Sequence, residues 1–272
     1  MGTRKGGKRV DLTPLGLGIL AGGTIILGLP IARLKAVSTK TKAFLNAIST
    51  GILVFLLVEI TGHILEEVEH LLISATEGFH TLPDALRFGG LLIAGFSTGL
   101  LGLVWFEQRV LKAPHTDEAP KEKAHRVAML IAVGLGLHNL SEGLAIGQGY
   151  ASGAVQLAWL LAIGFALHNG TEGFGIAAPL SGYRASWRFL GITALVAGGP
   201  TFLGALIGGL WTNQALEVFC LALASGTLLY VIGELMHLGR QLKSEAVVSI
   251  GLLIGFCVAM VTDFALVVFS GI

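Results

Sequence analysis

Charge is scarce in this chain, and the scarcity excludes the ordinary soluble classes. Only 13% of the 272 residues are charged, whereas 53% are hydrophobic. A soluble domain usually carries about 25% charged residues, so this chain cannot cover a surface that faces water on all sides. Together with the mean hydropathy of +0.78, the composition indicates a membrane protein, and nothing in it favours nucleic-acid binding.

Cysteine is equally rare. Cys220 and Cys257 are the only two cysteines in the sequence, and each lies in an apolar run without a second cysteine nearby. This spacing argues against a disulfide framework and against a thiolate metal site. The basic first ten residues are not followed by a short apolar region with a small-residue cleavage site. We therefore expect the first apolar segment to be retained.

Long apolar runs, in contrast, fill most of the sequence. A helix needs about 20 predominantly apolar residues to cross a bilayer, and its backbone groups must bond to one another inside the lipid. Eight stretches meet this demand, and they cover residues 12–32, 43–72, 86–110, 127–150, 153–180, 187–210, 215–238 and 246–269. The sequence therefore predicts an all-α, polytopic bundle of eight transmembrane helices that forms a single domain over residues 1–272.

Lysine and arginine are distributed unevenly between the two sides of this predicted bundle. Thirteen lie at the connections that follow spans one, three, five and seven, against five on the other side, four of them in the N-terminal tail. Because basic loops stay in the cytoplasm, the count predicts that both termini lie outside, although the basic tail argues the other way. We expect a multi-pass protein of the cell (inner) membrane.

The fourth and fifth spans share a polar motif, H-N-x-[S/T]-E-G, which recurs 30 residues apart. In a helix, the histidine and the glutamate four residues later lie on one face. Imidazole, carboxylate and amide oxygen together suit zinc and its first-row neighbours. The candidate metal ligands are His138, Asn139, Glu142, His168, Asn169 and Glu172.

A structural role is the alternative explanation for these residues. One histidine in an apolar span often only forms an interhelical hydrogen bond. A glutamate at the bilayer centre, however, costs about 2.5 kcal/mol or more and by default indicates function. Two identical His/Glu pairs on consecutive helices favour a metal site, and two glutamates balance the charge of one divalent ion.

The double motif and the eight-span layout resemble the ZIP (Zrt/Irt-like) metal transporters over nearly the whole chain. The resemblance implies uptake of zinc or a related divalent ion into the cytoplasm through the six motif residues, and it implies homodimers. The chain departs from the family pattern at three positions. Ser141 and Thr171 stand where proline is frequent, and Thr201 stands where many members carry a sixth-span glutamate. Serine or threonine can bond back to a helix carbonyl.

Further ionisable groups predict a pathway on either side of this site. In the second span, Glu59, His63 and Glu67 recur every four residues and suggest an entrance for cations, with Glu66 and His70 close by. The outermost of these residues could instead only solvate the helix end. Glu234 and His237 end the seventh span, and Asp263 lies in the eighth. Two loop histidines, His115 and His125, fit a solvated loop better than a metal site.

Two other functions compete with metal transport. An integral-membrane metallohydrolase could use the same His/Glu cluster to activate water, and a proton-coupled carrier of an organic solute could use it as a relay. An enzyme needs a nucleophile or a base besides the metal ligands, and the sequence has no separate motif for one. We therefore expect a transporter without a resident cofactor. The ligand set favours zinc and also accepts iron, manganese, cobalt and cadmium.

Overall fold

The computed structural model describes residues 12–34, 38–76, 82–111, 118–210 and 213–270. Within these ranges the regular structure is helical throughout, which confirms the predicted all-α bundle. The eight α-helices of the described ranges are α1 (Thr13–Gly23), α2 (Thr39–Thr76), α3 (Leu82–Arg109), α4 (Pro120–Ala151), α5 (Val155–Leu180), α6 (Trp187–Leu210), α7 (Gln214–Gln241) and α8 (Glu245–Ser270).

Seven segments of the described chain are long and apolar enough to cross a membrane, and α5 is not among them. This helix has 26 residues, which span about 39 Å at 1.5 Å per residue. It is therefore long enough, but the polar motif from His168 to Glu172 lowers its hydropathy. Three helices also extend beyond their predicted spans by four residues or more at the N-terminal end, since α2 begins at Thr39, α3 at Leu82 and α4 at Pro120.

The first span differs from the continuous helix expected over residues 12–32. After α1, the chain continues as two 3₁₀ segments, Thr24–Leu27 and Leu29–Arg33. Pro30 has no N–H to donate to the carbonyl one turn earlier. Gly28 lies so close to α5 that a Cβ atom there would come within 2.6 Å of the Gly173 carbonyl carbon. The tighter segments thus occur where the chain approaches α5.

α4 and α5 form the centre of the bundle. They run antiparallel, joined by three residues, and α4 packs mainly against α6, α5 and α7. α5 packs in turn against α1, α2 and the 3₁₀ segments. On the periphery, α2 packs on α8 and α3 packs on α7. The two helices that carry the double motif are therefore enclosed by helices from both the N-terminal and the C-terminal parts of the chain.

α1 and α6 cross at a pair of glycines. A methyl group on Gly22 would come within 2.1 Å of the Gly198 carbonyl oxygen, and a methyl group on Gly198 would come equally close to the Gly22 carbonyl oxygen. Only glycine allows two backbones to approach so closely. This close contact fixes the position of α1 along the axis of α6, next to the candidate site.

One end of the bundle, at which α2 and α4 begin and α3, α5 and α7 end, carries most of the described basic residues, and we call it the basic end. A half-buried ion-pair network stabilises it. The Arg126 guanidinium of α4 bonds to Glu107 of α3, and its Nε and Nη2 lie 3.1 Å from the two oxygens of Glu118. The Tyr230 hydroxyl of α7 donates to the second oxygen of Glu107. The network thus ties α3, α4 and α7 together.

Candidate metal centre

Three side chains of the double motif converge between α4 and α5. One ligand atom each from His138, Glu142 and His168 lies within 4.8 Å of the other two. Glu142 Oε1 is 3.1 Å from His138 Nε2 and 2.5 Å from His168 Nε2. The i,i+4 spacing predicted the first contact, while the antiparallel pairing of the two helices produces the second. A divalent ion binds nitrogen and oxygen ligands of this type at about 2.0–2.2 Å.

Glu172 lies slightly further from the cluster. Its Oε1 is 4.0 Å from His138 Nε2, and the side chain is 1% exposed. The two carboxylates therefore differ in position, since Glu142 contacts both imidazoles while Glu172 approaches one of them.

The two asparagines connect the motifs crosswise. Asn169 Nδ2 of α5 donates to Glu142 Oε2 of α4 at 3.0 Å, and Asn139 Nδ2 of α4 donates to Glu172 Oε2 of α5 at 3.2 Å. Hydrogen bonds of this kind orient carboxylates that bind metal and raise affinity. Each asparagine thus holds the carboxylate of the other helix.

Each asparagine is also anchored to a neighbouring helix. The same amide nitrogen of Asn169 donates to the Ala21 carbonyl at 3.2 Å, and that of Asn139 donates to the Ala197 carbonyl at 3.1 Å. Ala21 and Ala197 directly precede the two glycines at which α1 and α6 cross. The close crossing therefore determines where the asparagines, and through them the carboxylates, are held.

The residues that replace proline in the motif bond back to the helix, as the sequence predicts. Ser141 Oγ donates to the His138 carbonyl and Thr171 Oγ1 to the His168 carbonyl, both at 2.6 Å. Each hydroxyl therefore adds a bond to the carbonyl of a candidate ligand. Bonds of this kind often bend a helix.

Several polar atoms of the site have no hydrogen-bond partner within the described part of the chain. They are both ring nitrogens of His138, the amide oxygens of Asn139 and Asn169, and Glu172 Oε1. His138 Nε2 is near Glu142, but its contact lacks hydrogen-bond geometry. Buried polar groups normally have hydrogen-bond partners. These unpaired atoms lie beside two carboxylates and are free to contact a cation, so they suit the binding of a divalent ion.

Thr201 is fully buried on α6, and its hydroxyl has no hydrogen-bond partner within the described residues. A Cβ atom on Gly22 would come within 2.8 Å of this hydroxyl, so Thr201 Oγ1 faces α1. The hydroxyl is neutral and supplies no charge where a glutamate would supply one.

Two of the predicted pathway residues share a cavity with the cluster. Glu59 of α2 and Asp263 of α8 line a cavity of about 140 Å³ together with His168 and Thr171. The remaining walls are mostly apolar. The cavity brings two further carboxylic side chains to the side of the cluster that His168 occupies.

The other predicted residues lie in separate places. His63 lines a cavity of about 330 Å³ near the far end of α2 with Glu66 and His70. Glu234 and His237 line one of about 350 Å³ at the basic end. His125 lies in α4, not in a loop, because that helix begins at Pro120. The side chain of Glu67 and the whole of His115 lie outside the described residues.

Sequence reasoning missed two groups of polar residues. Asn46 and Ser49 are each 1% exposed in the half of α2 next to the basic end. They continue the face of α2 that carries Glu59, and this spacing in an apolar span was the available signal. The half-buried ion pairs of Arg126 were also missed, since no local pattern pairs it with Glu107.

Comparison with known proteins gives two matches. The family model described as ZIP Zinc transporter matches residues 106–263, which include both motifs. A curated relative named Zinc transporter GufA, from Myxococcus xanthus, is 32% identical over 196 residues. The alignment covers 69% of this chain and 74% of that relative.

Proposed function

This chain belongs to the ZIP zinc transporter family, and we propose that it moves zinc through the centre formed by His138, Asn139, Glu142, His168, Asn169 and Glu172. Membership makes it a multi-pass membrane transporter of a divalent metal ion rather than an enzyme. The metallohydrolase alternative is therefore not favoured. The choice of zinc is supported by the family description and by the imidazole and carboxylate ligands, which suit this ion.

The convergence of His138, Glu142 and His168 is the observation that carries the proposal. Two nearly fully buried carboxylates in the middle of a membrane bundle need a compensating charge, because an unpaired buried charge is costly. One divalent ion supplies it. With the ion bound, Glu142 and Glu172 neutralise the site, while the asparagines hold both carboxylates in place.

We assign the pathway by the cavities on either side. Glu59 and Asp263 share the cavity with His168, where their carboxylates can attract a cation towards the centre. Glu234 and His237 line the cavity at the basic end and can receive the ion on release. His63 and Glu67 stay predicted entrance residues further along α2.

The family resemblance implies uptake, so we propose that the ion moves into the cytoplasm. The positive-inside rule favours an orientation in the cell (inner) membrane with the basic end in the cytoplasm and both termini outside. Single cysteines at Thr116 and Ser74, in a background without Cys220 and Cys257, should then be labelled from opposite sides of intact cells. Labelling from the same side would overturn this topology.

Homodimers are proposed from the family resemblance alone, and cross-linking in membranes tests them.

Flux of metal ions into proteoliposomes tests the function. The wild-type protein should carry zinc, and His168→Ala should abolish most of the flux while keeping the same elution volume on size exclusion. Iron, manganese, cobalt and cadmium, compared in the same assay, would identify the preferred ion. Equal zinc flux in wild-type, His168→Ala and empty liposomes would refute the proposal.

A further inference from the structure

α2 carries a second polar site towards the basic end, formed by two atoms that we call the oxygen pair, Asn46 Oδ1 and Ser49 Oγ. Both residues are 1% exposed, and neither atom has a hydrogen-bond partner within the described residues. Leaving a buried acceptor unpaired costs about 1–3 kcal/mol, so two of them one helical turn apart require an explanation.

Their position relates the oxygen pair to the metal centre. Ser49, Ile52, Leu56 and Glu59 are spaced by three and four residues and thus share one face of α2. The last three line the cavity that also contains His168. Ser49 therefore lies one turn beyond that cavity, towards the basic end.

α5 and α7 enclose the oxygen pair from the other sides. A Cβ atom on Gly175 of α5 would come within 2.8 Å of Ser49 Oγ, and Gly175 follows Glu172 by three residues, or about 4.5 Å of helix rise. Asn46 Nδ2 donates to the Leu235 carbonyl of α7 at 2.9 Å, which leaves Oδ1 as the free acceptor. The amide is thus held by α7.

We propose that the oxygen pair is a weak, neutral binding site through which the ion passes between the metal centre and the basic end. This inference rests on the proposed transport function. Hydroxyl and amide oxygens carry no net charge, and they bind zinc less strongly than imidazole does. Conduction needs sites that bind an ion firmly enough to receive it and weakly enough to release it. A neutral site next to two carboxylates meets the second requirement.

Ser49→Ala tests the site with little disturbance of packing. Zinc flux in proteoliposomes should fall about threefold to tenfold in maximal rate, as expected for the loss of one weak oxygen ligand. Equilibrium binding of zinc to detergent-solubilised protein should stay within about twofold of wild type, because the metal centre is intact. Thr50→Val is the matched control, since Thr50 is equally buried but its hydroxyl already donates to the Asn46 carbonyl.

Asn46→Asp tests the same site in the opposite direction. A carboxylate in place of the amide should hold the ion, add a second measurable binding equivalent and slow release.

If Ser49→Ala and Thr50→Val transport zinc at the same rate as wild type, the oxygen pair has no role in transport, while the transport function stands. If the wild-type protein carries no zinc, the function itself fails, and the oxygen pair fails with it.

Discussion

Replacing Glu142 with glutamine should weaken zinc binding more than any other single change of a carboxylate. With the ion bound, its two positive charges are balanced by Glu142 and Glu172. Glu142→Gln leaves one uncompensated positive charge in a site where both carboxylates are nearly fully buried. Breaking a buried ion pair in this way costs about 3–5 kcal/mol, or about a hundredfold to several thousandfold in dissociation constant.

The hydrogen bonds place this variant at the upper end of that range. Asn169 donates an N–H to Glu142 Oε2, so the amide oxygen of the new glutamine must face Asn169. Its NH₂ group, which only donates, then points at the two imidazoles where the ion should bind. Glu172→Gln removes the same charge but leaves the contacts of Glu142 intact. Its loss of zinc-binding free energy should therefore lie near the lower end of that range.

Isothermal titration of detergent-solubilised protein with zinc measures these effects, using a competing chelator for the wild type. Glu122→Gln is the control, because Glu122 is exposed in the first turn of the same helix. A dissociation constant for Glu142→Gln within threefold of the control would show that Glu142 does not bind the ion.

Three further predictions follow from the site and its supports. Zinc affinity should fall steadily as pH drops below about 6.5, the ordinary histidine pKa, because protonated imidazole cannot bind metal; an affinity unchanged between pH 7.5 and 5.5 would exclude histidine ligation. Gly198→Ala should push α1 away from α6 and reduce both thermal stability and zinc affinity, whereas Gly191→Ala on the same helix, where a methyl group meets open space, should alter neither. Arg126→Ala should lower the free energy of unfolding by about 1–3 kcal/mol by leaving the half-buried carboxylates of Glu107 and Glu118 without their cationic partner, and chemical denaturation should show a much smaller change for the exposed Arg188→Ala.

The helices and the candidate ligands could be predicted from sequence because both depend on local patterns. Apolar runs of bilayer length indicate spans whatever their partners, and the confirmed bundle follows from them. The spacing of His138 and Glu142 likewise predicts that both lie on one face of α4, and this prediction needs no knowledge of α5. The end of α1 was harder to predict from sequence. The 3₁₀ segments that follow it occur where Gly28 meets Gly173, and this contact joins distant parts of the sequence.

The arrangement around the ligands depends on contacts that sequence spacing does not encode. Asn139 and Asn169 were predicted as ligands, but their hydrogen bonds to the carboxylate of the opposite helix require the antiparallel pairing of α4 and α5. Their anchors are backbone carbonyls of Ala21 and Ala197, whose side chains carry no chemical signal. The two predicted glutamates therefore become distinct only in the structure, where Glu142 alone contacts both histidines.

The distribution of charge around the centre indicates how many ions it holds. Two carboxylates balance one divalent ion, and a second ion nearby would leave about two excess positive charges in a poorly solvated region, at several kcal/mol for each uncompensated ion. Thr201, which stands where the family resemblance implies a glutamate in many members, is neutral and faces α1 at Gly22. Glu59 and Asp263 line the cavity beside His168, and their carboxylates can attract the next ion without joining the centre. We therefore infer one strongly bound ion per chain, with weaker positions on either side of it.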